Sequence, residues 1–226
     1  MSGNGRSAGG GPRRRARREQ HADDTRRAIL AAARHAFARG GYNATPLDVI
    51  VRSARLTKGA LYHHFETKAA VLEAVYVEME GELASRVETA VMACTGGAWD
   101  RMIAAIEVFF AASAEPAYVQ IVLRDAPLVL GARHGREIDH AIGLGLVVAL
   151  VTDLRDAGWI RPLPLIATAR VLLAAASEVA IAMADADDPD LARREGTEVV
   201  LALLDGLRTS PAESPRAADP VGVDRT

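Results

Sequence analysis

The feature that most narrows the fold lies between Thr45 and Lys68, where two short helical segments flank a three-residue break. Thr45 is placed to cap a helix whose first position is Pro46, where a missing N–H costs nothing. Ile50 and Ala54 stand four apart on one face of that helix. Thr57 is placed to cap a second helix through Tyr62, with Leu61 and Phe65 as its apolar stripe. Only Ala54, Arg55 and Leu56 remain for the turn, and this pattern predicts a helix-turn-helix over 46–65. The exposed face of the second helix carries Lys58, Gly59, Ala60, Tyr62 and His63. These are a phosphate-seeking cation, two residues small enough for close backbone approach, and two flat hydrogen-bonding side chains. Such a set suits the DNA major groove.

The surrounding pattern is helical throughout, with no strand periodicity. A first helix is expected over 24–39, where Ile29, Ala32, Ala33, Ala36 and Phe37 recur at helical spacing before Gly40 and Gly41 stop it. Thr67 is placed to cap a long helix over 68–93 with Val71, Leu72, Val75, Met79, Leu83 and Val87 on its buried stripe. Further helices are expected over 98–113, 116–125, 135–157, 165–184 and 190–208. The low-complexity residues 1–22, with their run Arg13-Arg14-Arg15-Ala16-Arg17-Arg18, and the Pro-containing residues 209–226 are expected to be disordered tails. The arginine tail is either an arm that tracks DNA or a solvated segment that touches nothing. The resulting division is an arm over 1–22, a DNA-binding domain over 23–83, a body over 84–208 and a tail over 209–226.

Charge divides the same way. Residues 1–68 hold 14 Lys and Arg against 5 Asp and Glu, whereas residues 69–226 hold 13 against 24. A basic end and an acidic body orient a molecule on a polyanion, although chance clustering of solvated charges gives the same count. Cys94 is the only cysteine, so a reducing compartment is expected, and an inert buried thiol is its default reading. The N-terminus lacks the apolar core of a secretory signal, and the apolar run Ile142–Val151 is too short to span a bilayer. A cytoplasmic protein with no membrane partner is expected.

Residues Thr25–Lys68 resemble the N-terminal domain of the tetracycline-repressor (TetR) family of bacterial transcriptional regulators. The matching features are Thr25-Arg26-Arg27-Ala28-Ile29-Leu30-Ala31-Ala32-Ala33, then Phe37, Gly41-Tyr42, Ala44-Thr45, Ile50, Ala54 and Leu56. The most specific is Lys58-Gly59-Ala60-Leu61-Tyr62-His63-His64-Phe65, followed by Lys68. The resemblance implies an all-α fold with a three-helix N-terminal domain and a six-helix body for ligand binding and dimerisation. It also implies a homodimer on palindromic operator DNA, most often a repressor released by a small-molecule effector. The residues expected to meet DNA are Thr45, Thr57, Lys58, Gly59, Ala60, Tyr62, His63 and Lys68.

In the body, the helix over 165–184 carries a broad stripe with many small residues, including Leu172, Ala175 and Val179. The last helix carries Val200, Leu203, Leu204 and Leu207. Both stripes are wider than one intramolecular neighbour needs, so they are either internal core or a two-fold four-helix interface. The aromatics Trp99, Phe109, Phe110, Tyr118 and Trp159, with Arg124, Asp125 and His140 on nearby apolar segments, are candidates for an effector pocket. For any single one of those aromatics, ordinary core packing is the favoured reading, and the pocket reading rests on them as a group.

Several residues depart from the family pattern. Arg55 stands where the turn usually has glycine, and a left-handed arginine there costs about 1–2 kcal/mol. Asp48 stands where relatives often contact phosphate, and Ala60 offers only a methyl, which suits a thymine methyl. These departures support one rival, a ligand-binding protein of this fold that no longer binds DNA. A second rival, an enzyme using His63 or His64 as a base, lacks an orienting carboxylate. Adjacent histidines on a helix point about 100° apart, so no metal site is expected. No phosphate loop or nucleophile elbow is present, and no cofactor is expected.

Overall fold

A computed structural model describes residues 12–209. All but the first residue of the tail expected over 209–226, and the first eleven residues of the expected arm, lie outside the described residues. The elements in order are α1 (Pro12–Ala44), α2 (Leu47–Ser53), α3 (Lys58–His64), α4 (Lys68–Ala93), α5 (Ala98–Ser113) and α6 (Pro116–Tyr118). A π-helical turn, Val119–Asp125, then joins α6 to α7 (Ala126–Leu130). After it come α8 (Ala132–Ile142), α9 (Leu144–Asp156), α10 (Leu165–Asp185) and α11 (Pro189–Asp205). Among the described residues the only β pairing is an isolated antiparallel bridge, Ile160 to Arg208. The all-α expectation holds.

Several expected boundaries move, among them the end of the segment expected over 116–125, which continues through Pro127 to Leu130. The first helix begins twelve residues earlier than the cap pattern predicts, so residues 12–22 are helical rather than a disordered arm. Arginines favour a helix almost as much as alanine does, and Arg15 pairs with Glu19 one turn on. The helix expected over 135–157 is interrupted at Gly143, which separates α8 from α9. These interruptions, with Pro127 tolerated in the first turn of α7, raise the number of described α segments above the nine expected.

The chain forms two compact units, and their limits do not follow a single cut near residue 84. Among the described residues, one comprises residues 12–79 with 116–135, the other residues 80–115 with 136–209. In the first, Ile29, Ala33, Phe37, Ile50, Leu61, Phe65, Val71, Leu72 and Val75 form the core. These are the stripe residues read from helical spacing, now facing one another across α1 to α4. Gly41, at φ 73° and ψ 167°, breaks the direction of α1 and turns Tyr42–Ala44 away from the helix axis. The π-helical turn packs on α1, which draws residues 116–135 into this unit.

In the second unit, α10 packs along α9 and α11, and α5 packs on α9. Phe110, Met183 and Val200 centre the core, with Ile106, Phe109, Ala175, Ala176, Val179 and Ala192 around them. Gly196 permits the close approach of α11 to α10, since a Cβ there would sit 2.3 Å from Val179 Cγ1. By length and composition alone, α10 is long and apolar enough to cross a membrane. Counting only uninterrupted apolar runs hides that property, because Arg170 and Glu178 divide the helix. Cys94 is a free, half-buried thiol just past the end of α4.

Candidate nucleic-acid interface

The helix-turn-helix is built from α2 and α3. Thr57 accepts the Ala60 N–H at 3.2 Å through its hydroxyl oxygen, which is the cap its position predicts. Leu61 and Phe65 point inward, and Arg26 of α1 stacks its guanidinium over the Phe65 ring at 5.0 Å. The turn passes through Arg55 at φ 56°, the one described non-glycine residue in the left-handed region. The strain anticipated from its replacement of glycine is therefore present.

The outer face of α3 presents Lys58, Gly59, Tyr62 and His63, with Tyr62 53% exposed. Ala60 is half-buried beside them, and Thr57 is exposed at the helix start. Lys58 Nζ lies 2.7 Å from Asp48 Oδ1 of α2. The hydrogen bond and charge of Asp48 raise the Lys58 pKa, with a smaller contribution from Tyr62. At the end of α3, burial lowers the His64 pKa, assisted by the charges of His63 and Arg26.

Two expected DNA contacts are turned inward. Thr45 does not cap α2: it is only 4% exposed, and its hydroxyl donates to the Gly41 carbonyl at 2.7 Å. Pro46 stands at the start of α2 without a side-chain cap. The threonine is better used closing the kink, because the left-handed Gly41 frees carbonyls at the end of α1. Lys68, at the start of α4, donates to the carbonyls of Tyr42 at 2.8 Å and Thr45 at 3.2 Å. Its ammonium also lies 4.0 Å from the Tyr42 ring centroid. Both residues therefore hold the support under the helix-turn-helix.

The same junction has a partner that sequence spacing missed. Asp125, in the π-helical turn, is 8% exposed and accepts the Tyr42 N–H at 2.8 Å through Oδ2. A Cβ at Gly41 would meet Gln120 Nε2 at 3.2 Å, so the kink also lets the two segments approach. The only signal in the sequence is an acidic residue on an apolar segment, and nothing there identifies a partner 83 residues away.

The residues expected to form an effector pocket are divided between the two units. Tyr118 and Asp125 are buried in the unit that holds the helix-turn-helix, and Arg124 lies between them in sequence on the same turn. Trp99, Phe109, Phe110 and His140 belong to the other unit. Phe110 is core, with Phe109 edge-on to it at 5.5 Å. Trp99 lies 5.8 Å from Trp159, and Arg208 stacks on both rings at 4.6 and 5.0 Å. His140 is half-buried on α8.

The apolar stripes of α10 and α11 divide between core and surface. Leu172, Val200 and Leu204 are buried within the chain, while Ala175 and Val179 pack against the core and Leu207 is half-buried. Of the expected interface set, Leu203 alone is exposed, at 50%. The large apolar side chains exposed on these two helices are instead Ile166, Val171 and Ile181 of α10 and Leu191, Val199 and Leu203 of α11. On α11 the exposed Val199 and Leu203 each precede the buried Val200 and Leu204 by one position, which side-chain spacing alone did not resolve.

Comparison with known proteins bears on the family and the fold. Residues 29–75 match the family described as bacterial regulatory proteins, tetR family. Residues 99–207 match the tetracyclin repressor-like C-terminal domain. The transcriptional regulator UidR of Escherichia coli K12 is 37% identical over 54 residues, covering 24% of this chain and 28% of that protein. The A-factor receptor protein of Streptomyces griseus is 43% identical over 54 residues, covering 24% of this chain and 20% of that protein. The chain thus aligns with only about a quarter of the length of these relatives. A TetR-family regulator from Pectobacterium atrosepticum superposes with a TM-score of 0.76 at 28% identity, over 85% of this chain and 98% of that one. FadR of Bacillus subtilis, crystallised with stearoyl-CoA, shares the fold at a TM-score of 0.63 and 17% identity, over 80% and 98% of the two chains.

Proposed function

The chain belongs to the tetR family of bacterial regulatory proteins, and from that membership we propose that it is a sequence-specific DNA-binding transcriptional regulator. The observation that carries this reading is the outer face of α3, where Lys58, Gly59, Tyr62 and His63 stand exposed on a capped helix in the basic end of the chain. A helix of that width enters the major groove, with small residues admitting the backbone and polar ones meeting base edges and phosphates.

One recognition helix reads too few bases to define a site, so the active form is a homodimer on a palindrome. Its half-sites are spaced by about 34 Å, one turn of DNA. The exposed side chains of Val171, Ile181, Val199 and Leu203 form the contact that we assign to the second copy. Exposed apolar side chains on two helices that pack together suit a self-complementary two-fold interface. Action on DNA makes the protein cytoplasmic.

Regulation is by a small, largely apolar effector that releases the protein from its operator, which makes it a repressor. Phe109 and His140 remain the candidates for contacting it, because both are half-buried in the second unit. Covalent continuity carries the change to the DNA-binding unit along α4 and through residues 115–116 and 135–136, where the chain passes between units. Within that unit, the hydrogen bonds of Asp125 and Lys68 on Tyr42 then bear on the support of α2 and α3. A tenfold loss of operator affinity requires about 1.4 kcal/mol of preference for the released state.

The test is a mobility-shift titration of the full chain against the DNA upstream of its own coding sequence, with a scrambled duplex of equal length. A shift specific to the upstream duplex, lost in a Tyr62→Ala/His63→Ala variant that remains folded, is expected. Equal binding to both duplexes, or none at low salt, would overturn the proposal.

A further inference from the structure

We propose that Asp48 is a positioning residue for DNA recognition: it holds Lys58 as a reader of bases and withholds it from phosphates. This inference rests on the DNA-binding reading above. Its basis is the 2.7 Å contact between Asp48 Oδ1 on α2 and Lys58 Nζ at the start of α3, both side chains more than half exposed. An acidic side chain on the face turned towards a polyanion is unfavourable unless it has a task there.

The donor inventory defines that task. A lysine ammonium has three N–H groups and, left free, behaves as a mobile point charge that settles on any phosphate. Asp48 engages one N–H and restricts the swing of the side chain. Two donors are left, and guanine presents two acceptors, O6 and N7, on its major-groove edge. Tyr62, one turn further along α3, is near enough to influence the Lys58 charge and borders the same patch.

The pair is close to neutral, so it releases few counterions when it meets the backbone. Taking Lys58 to a phosphate breaks the pair and leaves the Asp48 carboxylate beside a second anion. Asp48 therefore lowers affinity for every sequence that lacks the matching base. Where that base is present, the pair stays intact and the affinity is kept. Discrimination comes from weakening the wrong complexes.

The experiment compares wild type with Asp48→Asn, using the full-length protein, a duplex selected by the wild type from a random pool and a scrambled duplex. Asparagine keeps the shape and removes the charge. Each freed lysine adds a slope of ~0.9 in log affinity against log salt, so two per dimer should raise scrambled-duplex affinity by roughly tenfold or more at about 0.1 M salt. Affinity for the selected duplex should change less than twofold. In a Lys58→Met background, Asp48→Asn should no longer alter the ratio of the two affinities.

Equal gains on both duplexes would show that Asp48 is only a repulsive charge and would overturn the inference. No change on either, or an undiminished effect in the Lys58→Met background, would also overturn it. A wild type that selects no duplex from the pool would overturn the DNA-binding reading itself, a result distinct from all of these.

Discussion

Replacing Asp125 with alanine is expected to loosen the junction between α1 and the helix-turn-helix by a calculable amount. The Asp125 carboxylate accepts the Tyr42 N–H at 2.8 Å from a position only 8% exposed. Alanine removes the acceptor and leaves no side-chain atom long enough to replace it. A donor stripped of its partner in such a place costs about 1–3 kcal/mol. At ~1.4 kcal/mol per decade, the Tyr42 amide should exchange its hydrogen roughly 5–150 times faster when exchange is by local opening. Asp125→Asn keeps a carbonyl oxygen at the same reach but loses the charge assistance, so its effect should be about half as large in free energy. The assay is amide hydrogen exchange on the intact protein, with amides inside α9 as the internal reference. Unchanged exchange at Tyr42 in Asp125→Ala would refute the argument. So would Asp125→Asn matching the alanine variant, since the hydrogen bond would then contribute nothing beyond the charge.

Lys68→Met should cost about 1.5–3 kcal/mol in urea denaturation through its lost bonds to the Tyr42 and Thr45 carbonyls, while the salt slope of DNA binding stays unchanged. A slope lowered by about 1 would instead identify Lys68 as a phosphate contact. Arg55→Gly relieves the strain at φ 56°, about 1–2 kcal/mol, against roughly 0.5–1 kcal/mol of added chain entropy, so a small net rise in the denaturation midpoint is expected; a fall would refute it. Leu203→Glu should give a folded monomer by light scattering and circular dichroism, whereas Leu204→Glu should not fold, because Leu204 is fully buried. Burial lowers the folded-state pKa of His64, so its contribution to stability is present above its ordinary value of 6.5 and is lost as pH falls through that value towards the folded one. His64→Gln should flatten that part of the denaturation profile between about pH 7.5 and 5.5; an identical profile in wild type and variant would count against it.

The sequence alone determined whatever depends on neighbours within one or two helical turns. Thr57 and Thr67 cap the helices that follow them because each hydroxyl reaches an amide three residues on. The ranges of α4 and α5 follow from stripe and stop signals and agree with the structure. The strain at Arg55 was legible from the family resemblance, in which glycine usually stands at that place in the turn.

Tertiary structure decided the roles of side chains whose best partner is remote. Thr45 has the composition of a cap, but the kink at Gly41 offers it a carbonyl, and there it is buried. Lys68 looks like a phosphate contact until the carbonyls of Tyr42 and Thr45 are brought beneath it. Asp125 reads as a polar group in a ligand pocket until the π-helical turn delivers it to the Tyr42 amide. On α10 and α11 periodicity fixed the apolar residues but not which edge of the stripe would face inward. Gly196 settled that by letting α11 approach Val179, which buries Val200 and Leu204 and leaves Val199 and Leu203 outside. A helical pattern specifies a face to within about one position, and only the packing of a second helix against it chooses among those positions.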